Sequence, residues 1–152
     1  KTTLYRRWET KADLVRAALT SVAEVYRAGP TTGSLRGDLM RIGRATTQFM
    51  LSFEGQCILR VRLLERPEPE LAAMAKDLQA RSLGDISALG RAAVQRGELA
   101  RESDMMVVSE LLGGALYTRL VMKSQPATDA VLSHYVDMLL HGVAKPKKRR
   151  AR

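Results

Sequence analysis

Apolar positions recur every three or four residues through most of this chain, interrupted at a few points by glycine, proline and small polar residues. That period belongs to helices with one face turned to a core. Six helices are predicted. The first, about 11–27, is capped by Thr10, whose hydroxyl can accept from the amide of Asp13; Leu14, Val15, Ala18, Val22 and Val25 follow at helical spacing. It stops before Gly29-Pro30, where glycine permits a left-handed exit and proline disfavours further helix. Ser34 caps a second helix, about 35–53, with the stripe Leu35, Leu39, Ile42, Thr46, Phe49 and Phe53, and Gly55 breaks it. A shorter helix, about 56–65, carries Cys57, Val61 and Leu64 on one side, and Arg66-Pro67-Glu68-Pro69 turns the chain. The fourth runs from about 70 to 96 and is ended by Gly97, with Leu99 folding back on its last turn; Gly84 and Gly90 inside it mark bends or close contacts.

The last two helices differ from the others. Ser103 caps the fifth, with Asp104 in its first turn, and apolar residues surround it almost completely from Met105 to Met122. The sixth, about 129–143, carries Val131, Leu132, Tyr135, Val136, Leu139, Leu140 and Val143, again wider than one stripe. Such helices must be buried on more than one side. The expectation is a homodimer in which both copies contribute this pair to a four-helix bundle about a two-fold axis. Val108, Leu111, Gly113, Gly114, Ala115, Leu132, Tyr135, Val136 and Leu139 are assigned to that interface, the two glycines permitting close approach.

Composition supports an all-α reading: Ala, Leu, Met and Arg are plentiful and β-branched runs scarce over 152 residues, enough for one core. Met105–Met122 is the stretch nearest to a membrane span and is read as interrupted by Glu110 and Arg119, so no membrane partner is expected. The net charge is +9, but residues 145–152 hold six cations and no acid, which leaves +3 for the body. That basic tail reads as disordered, either attracting nucleic acid without sequence preference or simply solvated. Cys57 is the single cysteine, which fits a reducing cytoplasm. His134 and His141 lie seven residues apart, about 10.5 Å along a helix axis, too far to share a metal ion. Glu65, Glu68 and Glu70 flank prolines as solvated caps, and Gly113-Gly114 sits in a helix rather than a phosphate loop. No metal site, cofactor site or catalytic constellation is expected, and no enzyme activity.

The N-terminal dozen carries the most specific signal. Thr3-Leu4-Tyr5-Arg6-Arg7-Trp8 reads as the exit of a helix, and Thr10-Lys11-Ala12-Asp13-Leu14 starts the next, placing cations and a phenol on an edge suited to a phosphate backbone. This arrangement resembles the tetracycline-repressor (TetR) family of bacterial transcription regulators. There a helix-turn-helix recognition helix ends in a similar motif, and the next helix opens with Ser/Thr-Lys-x-x-Leu. The family's first two helices precede this motif, so the resemblance implies that Lys1 falls inside the DNA-binding domain. It implies a remnant of that domain at 1–9, a helical effector-binding and dimerisation domain at 10–144, and the tail at 145–152. Tyr5 and Lys11 would grip phosphates, with Arg7 beside them, while Thr2, Thr3 and Arg6 would lie nearer the bases. Operator DNA is then a partner of the intact protein, a repressor by this resemblance. A small, mostly apolar effector is expected among Met40, Phe49, Met50, Phe53, Met74, Leu78, Leu112, Leu116 and Tyr117, methionines adapting to irregular ligands and Tyr117 adding a polar handle. Ordinary core filling is the alternative for each of these. For the whole chain, the alternative is an all-α interaction module whose basic tail binds nucleic acid or an acidic partner.

Overall fold

Ser34 starts helix α1 (Leu35–Leu51) with extended backbone at φ −145°, ψ 145° and a hydroxyl that accepts from the Gly37 amide at 3.1 Å. This is a computed structural model, and it describes residues 29–53, 55, 56, 59, 80, 84–102 and 104–141. The other sequence-based expectations, the first helix, most of the third and fourth, and the tail, lie outside the described residues. At its far end α1 stops sooner than its stripe suggests. The Ser52 amide donates to the Gln48 and Phe49 carbonyls while its hydroxyl donates to the Phe49 carbonyl at 2.8 Å, so this serine competes with the next helical turn. Phe53 consequently leaves the core face and is 79% exposed.

Residues 84–95 are helical and end at Gly97, whose φ of +74° suits a residue without a Cβ. The Glu98 amide donates to the Ala93 carbonyl at 3.0 Å and the Gly97 amide to Val94 at 2.9 Å, the paired bonds of a Schellman ending. Leu99 folds back on the core as expected. Helix α2 (Asp104–Tyr117) begins after amide bonds from Asp104 to Arg101 and from Met105 to Glu102. It continues into a π-helical turn (Thr118–Met122), and Lys123 closes that turn with its amide on the Thr118 carbonyl. The buried positions Leu112, Leu116 and Leu120 recur every four residues. An α-helix drifts by roughly 40° over each such step, and the wider π turn reduces the drift so that Leu120 stays inward. Helix α3 (Asp129–His141) starts after Thr128, whose hydroxyl accepts from the Val131 amide.

The core sits where α1 packs on α2 and α3. Leu35, Leu39, Met40 and Ile42 meet Met105, Leu112, Leu116, Leu132 and Val136, with Leu89 and Ala93 closing one end. Gly43 makes the α1–α3 crossing close, because a Cβ there would run into the Leu132 side chain. Two exposed ion pairs cross the same contact. Arg44 grips Asp129 with Nε and Nη2 at 3.0 and 2.9 Å, and Arg36 donates to Asp137 at 3.0 Å and to Ser133 at 2.6 Å. Among the described residues all regular structure is helical.

One expectation needs correction here. Glu110 and Arg119 interrupt the apolar run of the fifth predicted helix without making it too polar for a membrane span. Asp104–Met122 is continuous over 19 residues, with a mean hydropathy of 1.3, and is long and apolar enough to cross a membrane by length and composition alone. Only 22% of it is buried within the protein, so the protomer core does not account for its apolar character.

Candidate functional site

α2 has two apolar sides with different fates. Met105, Leu112 and Leu116 turn inward and are buried, whereas Val107 and Leu111 keep 55% and 56% of their surface in water. Val121 and Met122 continue that outward side, and Met138 of α3 is also exposed. Between the two helices lies an open groove of about 500 Å³, floored by Leu111, Gly114, Ala115 and Tyr135 and rimmed by Glu110, Arg119 and Lys123. Arg119 is held at this rim by its Nε, which donates to the Pro126 carbonyl at 2.7 Å.

The residues assigned to dimerisation therefore divide. Leu111, Gly114, Ala115 and Tyr135 line the groove. Val108 and Leu139 are half-buried against the core, and Gly113 is half-buried. Among the described residues, nothing beyond the glycine's own stretch of helix lies within 4 Å of where a Cβ would stand on Gly113 or Gly114, so neither glycine serves a close approach to them. Leu132 and Val136 belong elsewhere: both are buried, at 2% and 0% exposure, against the inner side of the protomer, and present no surface to a second copy. A wide apolar stripe on α3 could not show which of its sides meets α1.

Of the residues assigned to an effector pocket, Met40, Leu112 and Leu116 are in the core cluster and Met50 packs against it. Phe49 and Tyr117 are half-buried. Phe53 does not join them, since the Ser52 ending turns it out to solvent. Met74 and Leu78 lie outside the described residues, as do Thr2, Thr3, Tyr5, Arg6, Arg7 and Lys11. The groove on the outward side shares none of the nine assigned pocket residues. Two side chains absent from the sequence-based assignment carry buried hydroxyls: Thr47 Oγ on α1 and Ser109 Oγ on α2 find no hydrogen-bond partner among the described residues. A buried hydroxyl without a partner costs about 1–3 kcal/mol.

A second polar constellation surrounds Asp38, the one buried charged side chain among the described residues. Its carboxylate accepts from the Thr32 amide at 2.6 Å, the Thr31 hydroxyl at 2.8 Å and the Thr32 hydroxyl at 2.9 Å. Arg41 and Arg96 each approach it at 3.4 Å. Burial pushes the Asp38 carboxyl up, but these hydrogen bonds and the Arg41 charge outweigh it and hold the group below its ordinary value. Glu98 lies next to it. The Arg96 guanidinium, donating at 2.6 Å, together with the Leu35 amide, lowers the Glu98 carboxyl despite the opposing effect of desolvation. In sequence, the only trace of this site is an acid in the first turn of α1, which reads as a helix-end charge.

A family model described as tetracyclin repressor-like, C-terminal domain, matches residues 29–139. The chain is 30% identical over 141 residues to an HTH-type transcriptional regulator of Mycobacterium bovis, covering 90% of this chain and 68% of that one. It is 30% identical over 156 residues to the DNA-binding transcriptional repressor TetR of Mycobacteroides abscessus, covering 98% of this chain and 79% of the relative. The crystal structure of the TetR family transcription regulator SCO0332 superposes with a TM-score of 0.71 at 31% identity, over 95% of this chain and 81% of that one. With a helical core built as the N-terminal motif implied, and with these relatives, the chain belongs to the TetR family of DNA-binding transcription regulators.

Proposed function

We propose that this regulator works as a homodimer that represses transcription in the cytoplasm and releases its operator when a small, mostly apolar molecule enters the helical body. The observation that carries the dimer is the outward side of α2 and α3. Val107 and Leu111 are exposed on α2, Met122 on the π turn that continues it and Met138 on α3, beside an open groove. Exposed apolar side chains gathered on one side of a helix pair suit a protein interface. A bilayer would also accept the length of Asp104–Met122, but its inner side is occupied by α1 and α3. Two copies related by a two-fold axis would cover each other's Leu111, Gly114 and Tyr135, and the bare glycine would let the helices approach. Sedimentation equilibrium at micromolar concentration tests this; a strictly monomeric protein overturns it.

The effector reading rests on the buried hydroxyls. Thr47 and Ser109 stand on the two helices that also supply Met40, Phe49, Met50, Leu112 and Leu116. An apolar cavity with a few polar groups is the usual form of a small-molecule site. A ligand bound there at 100 times its dissociation constant adds about 2.7 kcal/mol of stability. Thermal-shift screening of apolar molecules on wild type, Thr47→Val and Ser109→Ala is the experiment. Hits whose stabilisation is unchanged in both variants remove the site from this position. DNA contact by Thr2, Thr3, Tyr5, Arg6, Arg7 and Lys11 belongs to the same proposal. Lys11→Ala should lower affinity for all DNA sequences alike and reduce the salt slope by about one.

A further inference from the structure

The segment Thr31-Thr32-Gly33-Ser34 needs only Ser34 to start α1, because that hydroxyl already accepts from Gly37. Yet Asp38, one turn into the helix, turns its buried carboxylate back toward the two threonines and takes three hydrogen bonds from them. Burying a carboxylate is expensive unless its lone pairs are all met. Here they are met by groups from three separate stretches: the segment before α1, α1 itself through Arg41, and the turn after the 84–95 helix through Arg96. Arg96 ties the set together, donating to Glu98 at 2.6 Å, to the Thr31 hydroxyl at 3.3 Å and to Asp38 at 3.4 Å. Glu98 in turn accepts the Leu35 amide at 3.1 Å across 63 positions of sequence. The direction of the chain through 31–34 is thus fixed at both ends of the network.

That direction has a use, because the match to the tetracyclin repressor-like C-terminal domain begins at residue 29. We propose that Asp38, with Arg96 as its bridge, is a positioning residue for DNA binding: it clamps the entry into the C-terminal domain and so fixes where the preceding, DNA-reading part stands. The clamp also lies on the effector's route. α1 carries Asp38 in its first turn and, further along, Thr47 and Phe49, so a displacement of α1 by a bound molecule moves the clamp and the chain that it holds. This inference rests on the operator-binding reading above.

The test uses the intact protein, DNA-reading part included, with two threonine variants and one at the carboxylate. Thr31 is exposed, so Thr31→Val removes one donor without cutting into the core, and Thr31→Ser restores it. Asp38→Asn removes the charge. Hydrogen exchange reads the Thr32 amide against the core amides of Leu132 and Val136. Affinity is measured for a DNA duplex that the wild type has selected from a randomised library. In Thr31→Val, Thr32 exchange should rise and duplex affinity fall, each by roughly tenfold, the size of one hydrogen bond to a charged group. Core protection should stay at the wild-type level, and Thr31→Ser should match wild type in both measurements. Asp38→Asn should lose more affinity than Thr31→Val. Unchanged Thr32 exchange in Thr31→Val overturns the clamp. Faster exchange with wild-type duplex affinity overturns the positioning role while leaving operator binding intact. A wild type that selects no duplex overturns the operator reading and the positioning role together.

Discussion

At the start of α1 a carboxylate with no exposed surface meets donors from three stretches of chain, whereas along the outer side of α2 two aliphatic side chains keep more than half of their surface in water. The first region is polar and closed: its carboxylate has been given partners for the water it lost, although Arg41 Nε beside it is buried without one among the described residues. The second is apolar and open, and the described residues supply nothing to cover it. Burial and polarity are therefore crossed in this molecule, the charged group inside and the leucine outside. What separates them is directional bonding. A carboxylate can be satisfied locally by a few well-placed donors, while apolar area is satisfied only by an equal area of another surface.

The sharpest way to break the comparison is to contrast two leucines assigned to one interface from the sequence. Leu132→Ala should cost about 2–5 kcal/mol of unfolding free energy, since Leu132 is buried against α1 and its loss leaves a cavity. Urea unfolding should show the same loss at every protein concentration; a loss that grows with concentration would place Leu132 at the dimer interface after all. Leu111→Asp should leave the folded protomer intact and weaken self-association by about 2 kcal/mol or more, thirtyfold in dissociation constant. Analytical ultracentrifugation measures it, and an unchanged association constant would mean that the outward side of α2 is not what a second copy covers.

At the closed region the expected effects are smaller. Asp38→Asn should lower stability by about 1–3 kcal/mol at neutral pH, because donors that met a charge now meet an amide. The group's folded pKa lies below the ordinary 3.8, so its contribution is fully present above that value and is lost as pH falls through the lower, folded one. Wild type and Asp38→Asn should therefore differ in unfolding midpoint at pH 7 and converge below pH 3.8. Parallel curves down to the acid limit would show that the charge is not what the site stabilises. The smallest effect belongs to the ion pairs that cross between α1 and α3. Arg44→Ala should leave the thermal midpoint unchanged within error, the Asp129 pair being open to solvent and screened by salt. A clear drop that vanishes in 1 M salt would give that pair a larger part than its exposure suggests.

The second, fifth and sixth predicted helices, the cap at Ser34, the ending at Gly97 and the fold-back of Leu99 were legible in the chain. These are local matters. A hydroxyl caps the amide three residues on, and a glycine ends a helix through its own φ, so nearest neighbours in sequence decide the outcome. The family was legible for a related reason: its motif is a short run of residues whose spacing is set by one helix end and the start of the next.

Which side of each helix meets which neighbour was decided only in three dimensions. A stripe such as Val131 to Leu140 is apolar on more than one side, and its sequence carries no sign that Leu132 and Val136 face Gly43 and α1 while Met138 faces out. The Ser52 ending that expels Phe53 depended on a serine bonding backwards instead of continuing the helix. The Asp38 cluster was beyond sequence reading altogether, since its members span 31 to 98 and only packing brings them together. Local chemistry, acting over a few residues, is written in the chain one turn at a time; the pairing of surfaces is a property of the whole fold, and there the sequence by itself left the choice open.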